Sequence, residues 1–211
     1  MQQNDDIISV DTLTAPVVEA QHQLVYKPLR KLSLTGNFDG DGKTDTLLQD
    51  NISRRINSAI DTFPDPFNNE WDSVVDFFYR EESDVVLALK NRKSDTLHLG
   101  TGMGPYCLIN IGDNNKDGRE EIALVPDLLD QSRVNSCVVY SLCQGKWQEL
   151  MRFGIHEDAF NFTTDTIPVF NEIESFLEKK NGRWMYFDYN SYAQNDSSEL
   201  GMKPLKIDRC K

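Results

Sequence analysis

No apolar run in the 211 residues approaches the ~20 needed for a membrane-crossing helix. The start, MQQNDDIISVD, carries neither a basic cluster nor a hydrophobic stretch, so no helical span and no signal segment is expected within these residues. Histidine is scarce, with His22, His98 and His156 in three different parts of the chain, and none of the four cysteines forms a C-x-x-C pair. A zinc centre needs such residues at short fixed intervals, so this spacing argues against one. Also missing are the serine elbow, the phosphate-cradling loop and the dinucleotide fingerprint, each of which supplies chemistry through a fixed backbone shape. Basic charge is in deficit: 22 Lys and Arg face 34 Asp and Glu, for a formal net charge of −12. That charge repels phosphate backbones and anionic lipid, excludes nucleic acid and membrane insertion from the expected partners, and favours cations and basic proteins.

Hydrophobic residues make up 39% of the chain and charged residues 27%, proportions that support a packed core. The organisation expected is an irregular lead-in over 1–20 followed by a single β-rich domain over 21–211. Short extended pieces are read around Leu24–Tyr26 and Leu32–Leu34, broken by Pro28, and a strand at Thr46–Leu48. The stretch Asn51–Phe67, with Pro64 and Pro66, reads as an insertion or a connecting loop. Trp71, Val74, Val75 and Phe78 fall at helical spacing within Glu70–Glu82, with Asn69 as the expected cap, and a strand through Val74–Tyr79 is the competing reading. Hairpins are expected at Asp84–Leu89 with Thr96–Leu99, across Gln144-Gly145, and across Asn181-Gly182, where both central residues tolerate positive φ. Lys203–Ile207 adds an edge strand carrying Pro204. The fold class expected is mainly β: antiparallel strands with one short helix.

Two segments share a pattern. Aligned on Gly42 and Gly118, GNFDGDGKTDTLL and GDNNKDGREEIAL form an internal repeat offset by 76 residues, lying within about 31–50 and 107–126. Asn37, Asp39, Asp41 and Asp45 occupy positions 1, 3, 5 and 9 of the first loop, and Asp113, Asn115, Asp117 and Glu121 those of the second. Ca²⁺ takes six to eight hard oxygen ligands, and alternate residues of a curled loop point inward towards one. Glycine at position 6 permits the curl, after which the main-chain carbonyls of Lys43 and Arg119 at position 7 complete the shell. The expected ligand set is therefore these ten residues around two Ca²⁺ ions, which reduce the formal charge from −12 to −8. An EF-hand requires a bidentate glutamate at position 12; here Leu48 and Leu124 stand there, inside short apolar runs suited to strands.

These residues resemble FG-GAP and VCBS repeats, related to the calcium loops of integrin α-subunit propellers. In that family a strand, a D-x-D-x-D-G-x-x-D loop and a second strand recur. The resemblance covers two segments of about twenty residues each. It implies propeller blades with ion-stiffened loops, and adhesion, recognition or scaffolding outside the cell. The chain is too short for a seven-bladed ring, and its loops lie farther apart than the ~40–50 residues of common blades, so a small or incomplete β-propeller-like fold is expected.

Catalysis finds little support. His156 beside Glu157 and Asp158 would place neighbouring side chains on opposite strand faces, and Asp127 with Asp130 is a coincidence expected among so many acids. Trp71, Trp147, Trp184, Tyr186, Tyr189 and Tyr192 read first as core and second as a recognition surface. Asn51, Asn161 and Asn195 begin N-x-S/T triplets that chance explains. Cys107, Cys137, Cys143 and Cys210 allow three disulfide pairings or buried free thiols. The expectation is a non-enzymatic, calcium-stabilised protein-binding module, acidic and facing a basic partner in the manner of an inhibitor or immunity-type protein. The alternative is a cell-surface carbohydrate-binding or hydrolytic accessory protein. Because extracellular calcium modules bind at about 10⁻⁴–10⁻³ M, the expected setting is extracytoplasmic, periplasmic or secreted, with any signal peptide lying outside this sequence.

Overall fold

The computed structural model describes residues 23–90, 92–130, 132–160, 168–194 and 201–210. The lead-in expected over 1–20 lies outside them, as do Asn161 and Asn195. Along the chain run β1 (Tyr26–Pro28), β2 (Ser33–Gly36), β3 (Asp45–Ser53), β4 (Ser58–Ala59), β5 (Thr62–Pro64), α1 (Trp71–Arg80), β6 (Ser83–Leu89), β7 (Arg92–Gly100) and β8 (Pro105–Gly112). They are followed by β9 (Glu121–Pro126), β10 (Val134–Cys143), β11 (Lys146–His156), β12 (Leu177–Lys180), β13 (Arg183–Tyr186), α2 (Tyr189–Gln194) and β14 (Lys203–Pro204). The fold is mainly β and every ladder between these strands is antiparallel.

Two four-stranded meanders share one plan: β2-β3-β6-β7, with β4 also paired to β3, and β8-β9-β10-β11. In each, the acidic loop joins the first two strands and its position-9 acid opens the second strand, with Gly36 opposite Asp45 and Gly112 opposite Glu121. The insertion of β4, β5 and α1 between β3 and β6 accounts for the wide separation of the loops. Removing residues 54–82 brings the interval within the ~40–50 residues of a blade. Neither meander closes on itself, and β12-β13-β14 and β1-β5 form two further sheets.

Parity along the strands sorts the core. On β9, Ile122 and Leu124 join Leu47, Leu87, Leu89 and Leu97 of the first meander, while Ala123 and Val125 face Ile173, Leu177 and Trp184. The second meander is thus covered on both faces, which is why IALV reads as an unbroken apolar run. A third cluster packs α1, through Val74, Phe77 and Phe78, on Leu29, Ile60 and Phe63.

The Gln144-Gly145 and Asn181-Gly182 hairpins form as expected, with positive φ at all four residues. Pro204 sits on the edge strand β14. Two local expectations need correction. Asn69 does not cap α1; its amide and carbonyl bind Val25 and Asp65, and Glu70 precedes the helix without a side-chain cap. Asn51 begins no loop, because β3 continues through Ser53 and turns Gln49, Asn51 and Ser53 inward. Sequence reasoning missed this because a polar inward face carries no hydrophobic period. Hydrogen bonds hold most of these groups: Gln49 Nε2 donates to Asn51 Oδ1 at 2.9 Å, Asn51 Nδ2 to Gly102 O at 3.0 Å, and Ser53 Oγ to Glu81 Oε2 at 2.8 Å, while Gln49 Oε1 is buried without a partner. Asn51, fully buried, is also no glycosylation acceptor in the folded chain. Of the cysteines, Cys143 and Cys210 form a disulfide, and Cys107 and Cys137 are buried free thiols.

Candidate metal centre

Four side-chain-to-backbone hydrogen bonds recur in both loops. The position-1 side chain accepts from the position-6 glycine N–H, as Asn37 does from Gly42 at 3.1 Å and Asp113 from Gly118 at 3.0 Å. Position 3 accepts from position 5, with Asp39 and Asn115 each 2.9 Å from the N–H of Asp41 and Asp117. Position 5 accepts from position 7, Asp41 from Lys43 at 2.8 Å and Asp117 from Arg119 at 3.0 Å. The position-9 acid accepts from position 2, Asp45 from Phe38 at 3.2 Å and Glu121 from Asn114 at 2.8 Å. Gly42 and Gly118 take φ of 81° and 91°, in the left-handed region that residues bearing a Cβ rarely adopt.

These backbone bonds leave some carboxylate oxygens over. In the second loop Glu121 is fully buried, its Oε2 takes the Asn114 N–H and amide, and its Oε1 has no hydrogen-bond partner. Asp117 Oδ2 is likewise buried without a hydrogen bond, the Arg119 guanidinium standing 3.7 Å away. Carboxylate oxygens of Asp113, Asp117 and Glu121 gather within 4.8 Å of one another. Two oxygens that share a Ca²⁺ at about 2.4 Å stand no farther apart than that, so the donor set and its spacing fit a hard divalent cation. Burial pushes the Glu121 carboxyl up to about 7, with the charges of Asp113 and Asp117 acting in the same direction against the hydrogen bonds from Asn114. A cation would relieve both the crowding and the two orphaned oxygens.

The first loop exchanges amide and acid, with Asn37 and Asp39 at positions 1 and 3 where the second has Asp113 and Asn115, and its position-9 Asp45 is half-buried. Lys43 extends into solvent, 83% exposed, and touches Asp41 Oδ2 at 3.3 Å. Arg119, at the same position of the second loop, is only 28% exposed and lies beside Gly40 of the first loop.

No family model, curated protein or solved structure matches this chain. The site is therefore read from its geometry.

That geometry joins the loops through residues the spacing argument passed over. Glu120 Oε2 accepts from Asn37 N–H at 3.1 Å and from Asn110 Nδ2 at 2.6 Å, and Glu120 N–H donates to Asn37 O at 3.0 Å. Asn37 Nδ2 reaches Gly118 O at 3.1 Å. A Cβ on Gly36 would come within 2.5 Å of both Asn110 Nδ2 and Glu120 Oε2, so this approach needs glycine. The C-terminal segment also reaches the second loop. Asp208 O accepts from Asn115 Nδ2 at 3.2 Å, Arg209 Nε donates to Asn115 O at 3.2 Å, and the adjacent Cys210 is anchored to Cys143. Only the second acid of the Glu120-Glu121 pair carried a signal in the sequence; the tail contacts carried none.

Elsewhere, His156 Nδ1 accepts from the Asp158 N–H at 3.2 Å, an N-cap of the short 3₁₀ turn Glu157–Ala159. Trp184 is core, whereas Trp71 and Trp147 are half-buried.

Proposed function

We propose that this chain is a non-enzymatic, calcium-stiffened protein-binding module acting outside the cytoplasm, with the second loop as its principal ion site and the first as a weaker companion. The observation that carries the calcium reading is the fully buried Glu121, whose unpartnered Oε1 stands among the oxygens of Asp113 and Asp117. A loop made only of polar turns has no need of a carboxylate in that position, and a buried anion without a counter-charge is strongly disfavoured. Asp113, Asn115, Asp117, Glu121 and the Arg119 carbonyl would hold the second ion, and Asn37, Asp39, Asp41, Asp45 and the Lys43 carbonyl the first. The ions supply charge neutralisation where two meanders touch, fixing their relative position.

The FG-GAP and VCBS resemblance supports a recognition role, as does the repeated meander with its loop between first and second strands. The net charge of −12 favours a basic protein partner, of the kind an acidic inhibitor or immunity-type protein neutralises. The Cys143–Cys210 disulfide favours an oxidising, extracytoplasmic setting.

Calorimetric titration of the chelator-treated protein with CaCl₂ tests the ion reading: two binding events of unequal affinity are expected, and absence of heat together with an unchanged melting curve at millimolar calcium would refute it. For the partner, a basic protein retained in calcium and released by high salt supports the reading. Failure to retain any protein in calcium counts against it.

A further inference from the structure

A cavity of about 440 Å³, separate from the acidic loops, opens where β1, β5, the start of α1 and the start of β8 converge. Its size falls within the range of small-molecule sites, about 300–1,000 Å³. Phe63, Trp71 and Met103 contribute apolar wall, while Gln49, Tyr106 and Asp127 bring polar groups to it.

Gln49 is 3% exposed, and its Nε2 donates to Asn51 Oδ1 at 2.9 Å and Arg30 O at 3.4 Å. Both partners are acceptors, which fixes the carboxamide's orientation and leaves Oε1 buried without a partner. That carbonyl calls for an O–H or N–H donor. Asp127, 5% exposed, accepts from the Leu129 N–H at 3.0 Å and from the Tyr106 hydroxyl. Burial raises its carboxyl to about 6, so a further donor would be favourable there too. Lys27 does not call for an anionic ligand: its ammonium lies 5.4 and 5.0 Å from the Phe63 and Phe67 ring centres and 3.4 Å from Asp65. Arg30, also on the wall, is likewise engaged.

A fitting occupant is neutral, offers hydrogen-bond donors on two sides and lays an apolar face on the wall between them. A pyranose ring has this form, with hydroxyls around its edge and C–H groups on its face. We propose that the cavity binds a saccharide unit, with ring hydroxyls donating to Gln49 Oε1 and the Asp127 carboxyl and the ring face against Trp71. The site uses none of the loop residues, so its test stands apart from the calcium reading.

The test is calorimetric and tryptophan-fluorescence titration of the calcium-loaded protein with glucose, galactose, mannose, N-acetylglucosamine and their β1,4-linked dimers. At least one should bind saturably below about 10 mM, and Gln49→Met and Asp127→Asn should each weaken it about tenfold without lowering the melting temperature by more than a few degrees. Trp71→Phe should retain binding better than Trp71→Ala. If either polar variant lowers the melting temperature further, protection of the Trp71 indole from quencher by the bound sugar gives a readout in the unmodified protein. Silence across the whole panel, or a sugar bound equally by the wild type and by folded Gln49→Met, would overturn the proposal.

Discussion

Glu121→Gln should change the sign of its effect on stability between chelator and calcium. In the folded chain burial raises this carboxyl from 4.5 to about 7. The folded state then holds the proton more tightly than the unfolded one, so stability in chelator falls as pH climbs from about 4.5 to about 7 and is flat beyond. At about 1.4 kcal/mol per pKa unit, the charged form at pH 8 costs on the order of 3 kcal/mol. Glutamine is neutral at every pH; its carbonyl can keep the Asn114 bonds, while its NH₂ stands where the orphaned oxygen was, facing Asp113 and Asp117. In EDTA the variant should therefore equal the wild type near pH 5 and exceed it at pH 8. In calcium the order reverses, because the wild type gains about 2.7 kcal/mol per site at a hundredfold excess over Kd and the variant has lost a ligand. Urea unfolding at both pH values, in EDTA and in CaCl₂, provides the four curves. Equal destabilisation of the variant in both media, or a wild-type EDTA profile that is flat between pH 5 and 8, would refute the reasoning.

Asp41→Ala and Asp117→Ala should each remove part of the calcium-induced rise in melting temperature, Asp117 the larger part because it stands with Glu121 and Asp113; scanning calorimetry with and without calcium measures this, and an unchanged increment in either variant counts against that loop. Glu120→Ala, which severs contacts to Asn37 and Asn110, should weaken the first site by several-fold although Glu120 is not itself a ligand, and isotherms matching the wild type would show that the loops are not coupled. Reducing Cys143–Cys210, which spans 67 residues of chain, should lower stability by roughly 4 kcal/mol in urea unfolding. Cys107 and Cys137 should resist thiol reagents until the chain unfolds, since both are buried and burial pushes the Cys107 thiol up to about 12.

What was legible in the sequence has short range. The turns at Gln144-Gly145 and Asn181-Gly182 depend on φ at two adjacent residues, and α1 on contacts three and four positions apart. The acidic loops belong to the same class, since each of their Asx bonds closes within seven residues. The buried polar face of β3 escaped notice because Asn51 and Ser53 find their partners inside at Gly102 and Glu81, more than twenty-five residues away, and Gln49 finds one at Arg30 O. For that reason the segment expected to leave the sheet at Asn51 does so only after Ser53.

The sequence by itself determined that two loops would curl and turn their oxygens inward, because the glycine at position 6 and the alternating acids act locally. Tertiary structure alone decided that Glu121 would be sealed from water while Asp45 stays half-open, that Glu120 would join one loop to the other across 83 residues, and that Asp208 would brace Asn115 across 93. Solvation of a carboxylate depends on whatever packs around it, and here much of that surrounding comes from distant parts of the chain.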